Sequence, residues 1–113
     1  VEPSAERASA LERSLRGAAE GTVQRGKLDK SAADALLGRI RRVASVAEIA
    51  SQPDVAIETV SERVELKFEV LRQIEALQPS LVGTNTSALS IDRLAGALQR
   101  PDRFLGMHFF QPV

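Results

Sequence analysis

The sequence contains no cysteine, no tryptophan and no tyrosine, and it has a single histidine. Without thiols there is neither a disulfide framework nor a thiolate metal site. One histidine excludes a metal site built on several imidazoles. Only four phenylalanines supply aromatic bulk, so core volume has to come from Leu, Ile, Val and Ala. An excess of charge of either sign is also missing: 15 Lys and Arg balance 15 Asp and Glu. Nucleic-acid binders usually carry a basic excess, so that class of partner is not expected. No apolar run approaches the roughly 18 residues of a membrane span, and no membrane contact is expected. No signal peptide is visible, and a cytoplasmic location is expected. There is no internal repeat and no low-complexity tract. The 113 residues suffice for one small domain rather than two. Val1 is not an initiator Met and need not be the natural start.

The first third reads as helical. After Pro3-Ser4, apolar residues recur at Ala8, Leu11, Leu15, Ala18, Ala19 and Val23, the spacing of one helix face. Gly17 and Gly21 weaken this helix, and Gly26 reads as its stop. A second helix is predicted from near Ser31, where Ser31-Ala-Ala-Asp34 resembles a capping box and Leu36, Leu37 and Ile40 form the apolar face. After Val43 the texture changes. Asp54 to Val60 is strand-like, Arg63 to Leu77 carries a helical stripe (Val64, Phe68, Leu71, Ile74, Leu77), and Pro79-Ser80 ends it. Leu81 to Thr84 predicts a short strand, Ser90 caps a helix with Ile91, Leu94 and Leu98 on one side, Arg100-Pro101-Asp102 is a turn, and Phe104 to Phe110 predicts a last strand.

Strands alternating with helices imply βαβ units and a mostly parallel sheet. In such sheets the ligand sits beyond the carboxyl ends of the strands, so polar residues just after each strand are the candidates. Three groups qualify: Val60-Ser61-Glu62, Thr84-Asn85-Thr86-Ser87 and Met107-His108-Phe109-Phe110-Gln111-Pro112. All three are expected on one rim. By position alone His108 reads as a packed histidine, Ser87 as a turn or helix cap, and Glu62 as a first-turn carboxylate suited to the helix dipole.

These residues resemble a family. The segment GTNTSALSIDRLAGALQRPDRFLGMHFFQPV is similar to the second half of the dinucleotide-binding domain of the 3-hydroxyacyl-CoA dehydrogenases, through its Asn-Thr-Ser strand end and its Gly-hydrophobic-His-Phe-Phe run. DVAIETVSERVELKFEVLRQIEAL and the helical pair around Gln24-Arg25-Gly26-Lys27-Leu28 extend the likeness over essentially the whole chain. The resemblance implies NAD as cofactor and an acyl-CoA substrate. It makes His108 the base that takes the hydroxyl proton as hydride leaves, a role suited to an imidazole that titrates near neutral pH. It places Ser87 against the substrate oxygen or the nicotinamide, and Glu62 and Lys67 against the cofactor. Gln111 stands where the family usually has a cofactor-contacting Asn, with one methylene more. Glu2, following Val1 like the tail of a second Rossmann strand, is the candidate for the ribose hydroxyls. Arg13, Arg16, Arg25 and Lys27 are candidates for the phosphates of coenzyme A, against the plainer reading of a solvated helical face. No metal ligand is expected.

One family signature is missing. The seven glycines never fall at the Gly-x-Gly-x-x-Gly spacing that cradles a pyrophosphate. The expectation is a partial dinucleotide-binding domain over residues 1–113. It would be an incomplete Rossmann-type, doubly wound α/β sheet without its first strand and glycine loop. The Glu that orients the catalytic His, and a helical dimerisation domain, are expected beyond Val113. The parent is expected to be a homodimer that oxidises L-3-hydroxyacyl-CoA to 3-ketoacyl-CoA in fatty-acid metabolism. The alternatives are a related gulonate- or carnitine-type 3-hydroxy acid dehydrogenase, or a non-catalytic domain that keeps the fold.

Overall fold

The computed structural model describes residues 1–50 and 52–110. The chain forms two compact units, Val1–Glu48 and Ile49–Val113.

The first unit is a helical hairpin. Helix α1 (Ala5–Gln24) starts where Ser4 Oγ accepts the Arg7 N–H, with Glu6 in the first turn, so a side chain and a charge both suit its unpaired amides. It ends at Gly26, whose φ of +67 is the left-handed conformation that glycine adopts without a Cβ clash. Helix α2 (Lys30–Gly38) is capped by Asp29, which accepts from the Ala32 N–H at 2.7 Å. The expected Ser31–Asp34 box is therefore not formed; Asp34 instead pairs with Lys30 at 3.0 Å. The helices α1 and α2 pack against each other, and the buried apolar residues of the unit are Ala8, Ala19, Ala33 and Val43. Leu11, Leu36 and Ile40, read as core, remain 43, 45 and 47 % exposed. Alanines at the contact let the two backbones approach closely, which leaves longer side chains at the margin. Val1–Glu2 is not a strand; Glu2 is tied to Val43 by one backbone bond of 3.0 Å.

The second unit is a three-stranded parallel sheet with two helices. In chain order it runs β1 (Val55–Glu58), α3 (Val64–Ala76), β2 (Leu81–Thr84), α4 (Ile91–Ala95), a 3₁₀ turn at Pro101–Arg103, and β3 (Phe104–Gly106). The order across the sheet is β1-β2-β3. The register pairs Glu58 with Thr84 and Thr84 with Gly106. The three strand ends therefore lie abreast. Leu71, Ile74, Val82 and Leu94 form the core, with Leu71 and Leu94 at 0 % exposure. Each such leucine contributes about 1.5–3 kcal/mol relative to an exposed one. The opposite face carries Val55 and Ile57, 49 and 40 % exposed. It also carries Gly83, where an added Cβ would come within 2.6 Å of Met107 Sδ. The predicted last strand is shorter than expected. β2 stops at Thr84, so β3 has no ladder to follow beyond Gly106 and leaves the sheet just before His108.

Candidate active site at the strand ends

The parallel register brings the carboxyl ends of all three strands to one edge, and Glu62, Ser87 and His108 meet there. His108 Nε2 lies 2.9 Å from Ser87 Oγ. The His108 ring packs against Phe110, with centroids 4.3 Å apart and planes tilted by 50°. Both His108 and Ser87 are exposed. Ser87 is held from behind: its N–H donates to Glu62 Oε1 at 2.6 Å. The Thr86 hydroxyl donates to the same carboxylate at 2.8 and 3.0 Å and accepts the Leu89 N–H at 3.1 Å. The Ser87 amide, with help from the Thr86 hydroxyl, holds the Glu62 carboxyl below its ordinary value of 4.5. Glu62 thus clamps the β2–α4 loop to the β1–α3 loop.

Beneath this rim lies a buried ion pair that the sequence reading did not single out. Glu58 and Lys67 have 0 % side-chain exposure, with Lys67 Nζ 2.9 Å from both Glu58 oxygens. Nζ also reaches the carbonyls of Val60 at 3.1 Å and Asn85 at 3.4 Å. Glu58 further accepts the Thr84 hydroxyl at 2.6 Å and the Val60 N–H. A buried charge is tolerated when paired and fully hydrogen-bonded, and no buried side-chain polar atom among the described residues lacks a partner. Lys67 was expected to touch the cofactor. An ammonium has three protons, and these four acceptors take up all of them, so in this arrangement Lys67 donates inward. The signal that could have found the pair is Glu58 itself, a carboxylate within an otherwise apolar strand, with a lysine nine residues on. Such a charge needs an internal partner.

Glu2 sits in the first unit. Its Oε1 accepts the Ser4 N–H at 2.9 Å and the Arg7 guanidinium at 3.1 Å. The Ser4 amide, more than Arg7, draws its carboxyl below the ordinary value. Arg13, Arg16, Arg25 and Lys27 are all exposed. Gln111 lies outside the described residues. Among the described residues no group of three His, Asp or Glu is placed to hold a metal ion, and no helix is long and apolar enough to cross a membrane. At the far end of α3 a depression of about 400 Å³ is lined by Arg72, Glu75, Gln99 and Arg100 among others. There the Glu75 carboxylate accepts the N–H groups of Gln99 and Arg100 at 2.8–3.0 Å. It is a clasp between loop and helix, away from the strand ends.

The family profile described as 3-hydroxyacyl-CoA dehydrogenase, NAD binding domain, matches residues 1–113. This chain belongs to that family. It is 42 % identical over 93 residues to the fatty acid oxidation complex subunit alpha of Acinetobacter baumannii, covering 80 % of this chain and 13 % of that protein. The 3-hydroxybutyryl-CoA dehydrogenase of Escherichia coli superposes with a TM-score of 0.87 at 32 % identity, over 98 % of this chain and 24 % of that one. The (S)-3-hydroxybutyryl-CoA dehydrogenase of Ralstonia eutropha gives 0.85 at 29 % identity, over 97 % of this chain and 39 % of that one. The chain thus spans well under half the length of these relatives. Its fold is that of the family's dinucleotide-binding domain in part: α/β, Rossmann-type, with a parallel sheet, and NAD is the family's cofactor.

The rim can be tested against that cofactor. An exposed hydroxyl, imidazole and carboxylate sit together at the carboxyl ends of parallel strands, the edge where dinucleotides bind in such sheets. Their hydrogen-bonding groups suit a dinucleotide at that edge. The pyrophosphate cradle is a different matter, since no Gly-x-Gly-x-x-Gly occurs in the sequence.

Proposed function

We propose that the protein carrying this chain is an NAD-dependent dehydrogenase. It oxidises the hydroxyl of an L-3-hydroxyacyl-CoA to the 3-keto group in fatty-acid metabolism. The observation that carries the reading is the 2.9 Å contact between Ser87 Oγ and His108 Nε2 on the strand-end rim. A secondary alcohol loses two things on oxidation: hydride from carbon and a proton from oxygen. The cofactor, when bound, accepts the hydride. The proton needs a base within hydrogen-bond reach. An alcohol oxygen seated beside this pair, within hydrogen-bond reach of both Ser87 Oγ and His108 Nε2, meets both needs of this chain's chemistry. Ser87 donates a hydrogen bond that fixes the oxygen, and Nε2 takes the proton. Phe110 against the imidazole limits the ring's rotation.

Glu62 and Ser87 are the residues proposed to face the nicotinamide end, Glu2 the ribose hydroxyls, and Gln111 a further cofactor contact. Lys67 serves the same site through the loops it holds. The protein is further proposed to be a cytoplasmic homodimer, with residues 1–113 as part of its dinucleotide-binding domain. The names of the relatives support the substrate class: they are 3-hydroxybutyryl-CoA dehydrogenases and a fatty acid oxidation complex subunit.

The test compares wild type with His108→Gln in the intact protein, following reduction of NAD with a 3-hydroxyacyl-CoA. Loss of the base is expected to lower kcat by about 10²–10⁴-fold. KM should move much less, because the interaction is lost mainly in the transition state. A variant with normal turnover removes His108 from the mechanism. A variant that melts early while keeping its turnover marks His108 as a packing residue.

A further inference from the structure

Both chain neighbours of His108 are tied to the end of β2, by different kinds of bond. The Met107 N–H donates to the Thr84 carbonyl at 2.9 Å. The Phe109 N–H donates to Asn85 Oδ1 at 3.0 Å. In a parallel ladder the bonds are evenly spaced, and the N–H groups that face one neighbour lie two residues apart. The natural successor to Met107-to-Thr84 is Phe109 to the backbone carbonyl of Thr86. That acceptor is not in line, because β2 ended at Thr84 and the chain has begun its turn toward α4. The side chain of Asn85 supplies the acceptor instead. The amide must present its oxygen here, since its partner is an N–H.

Asn85 is itself held on both sides of its backbone. Its N–H donates to the Glu58 carbonyl at 2.7 Å. Its carbonyl receives Lys67 Nζ at 3.4 Å, from an ammonium pinned by the buried Glu58 carboxylate. A rigid, buried ion pair therefore fixes the asparagine, and the asparagine fixes the residue after the histidine.

We infer that Asn85 is a positioning residue for His108. Its side-chain carbonyl carries the sheet one hydrogen bond past the end of the strand and so sets the imidazole at its distance from Ser87. The inference rests on the dehydrogenase reading above. It has a chemical reason: proton abstraction concerted with hydride loss depends on where the base stands, and a displacement of about 1 Å can cost about 10²-fold in rate. His108 stands just outside regular structure, held by the Met107 ladder bond before it and, among the described residues, by the Asn85 bond after it.

The experiment uses the intact enzyme and the pair Asn85→Ala and Asn85→Asp. Alanine removes the acceptor; aspartate keeps an oxygen in the same place. Asn85→Ala is expected to lower kcat by about 10²-fold. It should raise the deuterium isotope effect with substrate labelled at the reacting carbon, and leave KM for NAD near the wild-type value. Asn85→Asp is expected to recover most of the rate. Backbone exchange of the Phe109 amide should speed up in the alanine variant and return in the aspartate one. That exchange reads the bond whether or not the protein turns over. Wild-type turnover in Asn85→Ala overturns the inference, as does an aspartate variant as slow as the alanine one, or unchanged Phe109 exchange. A wild-type protein that reduces no NAD refutes the dehydrogenase reading instead, and the Phe109 exchange then decides the positional bond alone.

Discussion

Glu62 does two jobs at the rim with one carboxylate: it caps the Ser87 amide and it binds the Thr86 hydroxyl. Its charge is what makes the cap strong, since bonds to ionised acceptors are roughly twice as strong as neutral ones. The consequence for pH has a definite sign. The folded-state pKa lies below the ordinary 4.5, chiefly through the Ser87 amide. A carboxyl with a depressed folded pKa stabilises the fold above its unfolded pKa and loses that contribution as pH falls through the folded value. Wild type should therefore melt higher than Glu62→Gln at neutral pH, with a gap constant down to about pH 5 and closing below it. Paired melting curves from neutral to acid pH check this; a gap that persists in acid means the charge is not the source. At this scale the sequence was partly legible. That His108 and Ser87 come together on one rim could be read from their places just after two parallel strands. Whether Lys67 points outward to a ligand or inward to a carboxylate is decided by burial, for which the one sequence hint is Glu58, nine residues upstream in an apolar strand. Asn85 read only as one polar residue of a strand end, because its long-range partner, Phe109, is 24 residues away.

Among the elements, β1 and α3 are joined by the Glu58–Lys67 pair, which also reaches Thr84 on β2 and the loop after it. Such a pair is poor evidence of net stability, because desolvation offsets much of the attraction, but losing one partner leaves the other charged and alone. Lys67→Met is expected to destabilise the protein by about 3–5 kcal/mol. Combining it with Glu58→Leu should recover part of that, despite the unpaired Thr84 hydroxyl. Denaturant melts of the two variants settle the point; a double variant no better than the single one means that the pair itself carries net stability. Helices α1 and α3 were legible to within a residue or two, and α4 at its Ser90 cap, though it ends at Ala95, short of the expected Leu98. The cap of α2 was misread because Ser31 and Asp29 are both competent N-caps, and only the backbone shows which one turns. The length of β3 was misread for a different reason: the apolar run continues to Phe110, but a strand lasts only while its neighbour does.

The molecule as a whole is uneven in how it is held together. The helical hairpin buries three alanines and one valine, whereas the sheet unit buries Leu71, Ile74, Val82 and Leu94. An alanine side chain offers one methyl to the core, and burial contributes about 0.8 kcal/mol per methylene-sized group. The hairpin must then draw more of its order from helix caps and backbone bonds, which water replaces at little cost. Local opening follows such differences: segments with few buried apolar contacts exchange their amides at free energies well below that of global unfolding. Composition hinted at this, since alanine is frequent in the first third, but the helical stripe of Leu11, Leu36 and Ile40 suggested a larger core than forms. Amide exchange on the intact protein should show α1 and α2 losing protection first, with β2 and the middle of α3 the slowest segments. Exposing the hairpin's own leucines to change provides a control: Leu36→Ser, at a side chain 45 % exposed, should alter the exchange of α2 little, whereas Ala33→Ser, at 4 % exposure, should speed it clearly. Equal protection in the two units, or a larger effect from Leu36 than from Ala33, would mean that the leucines carry the hairpin after all.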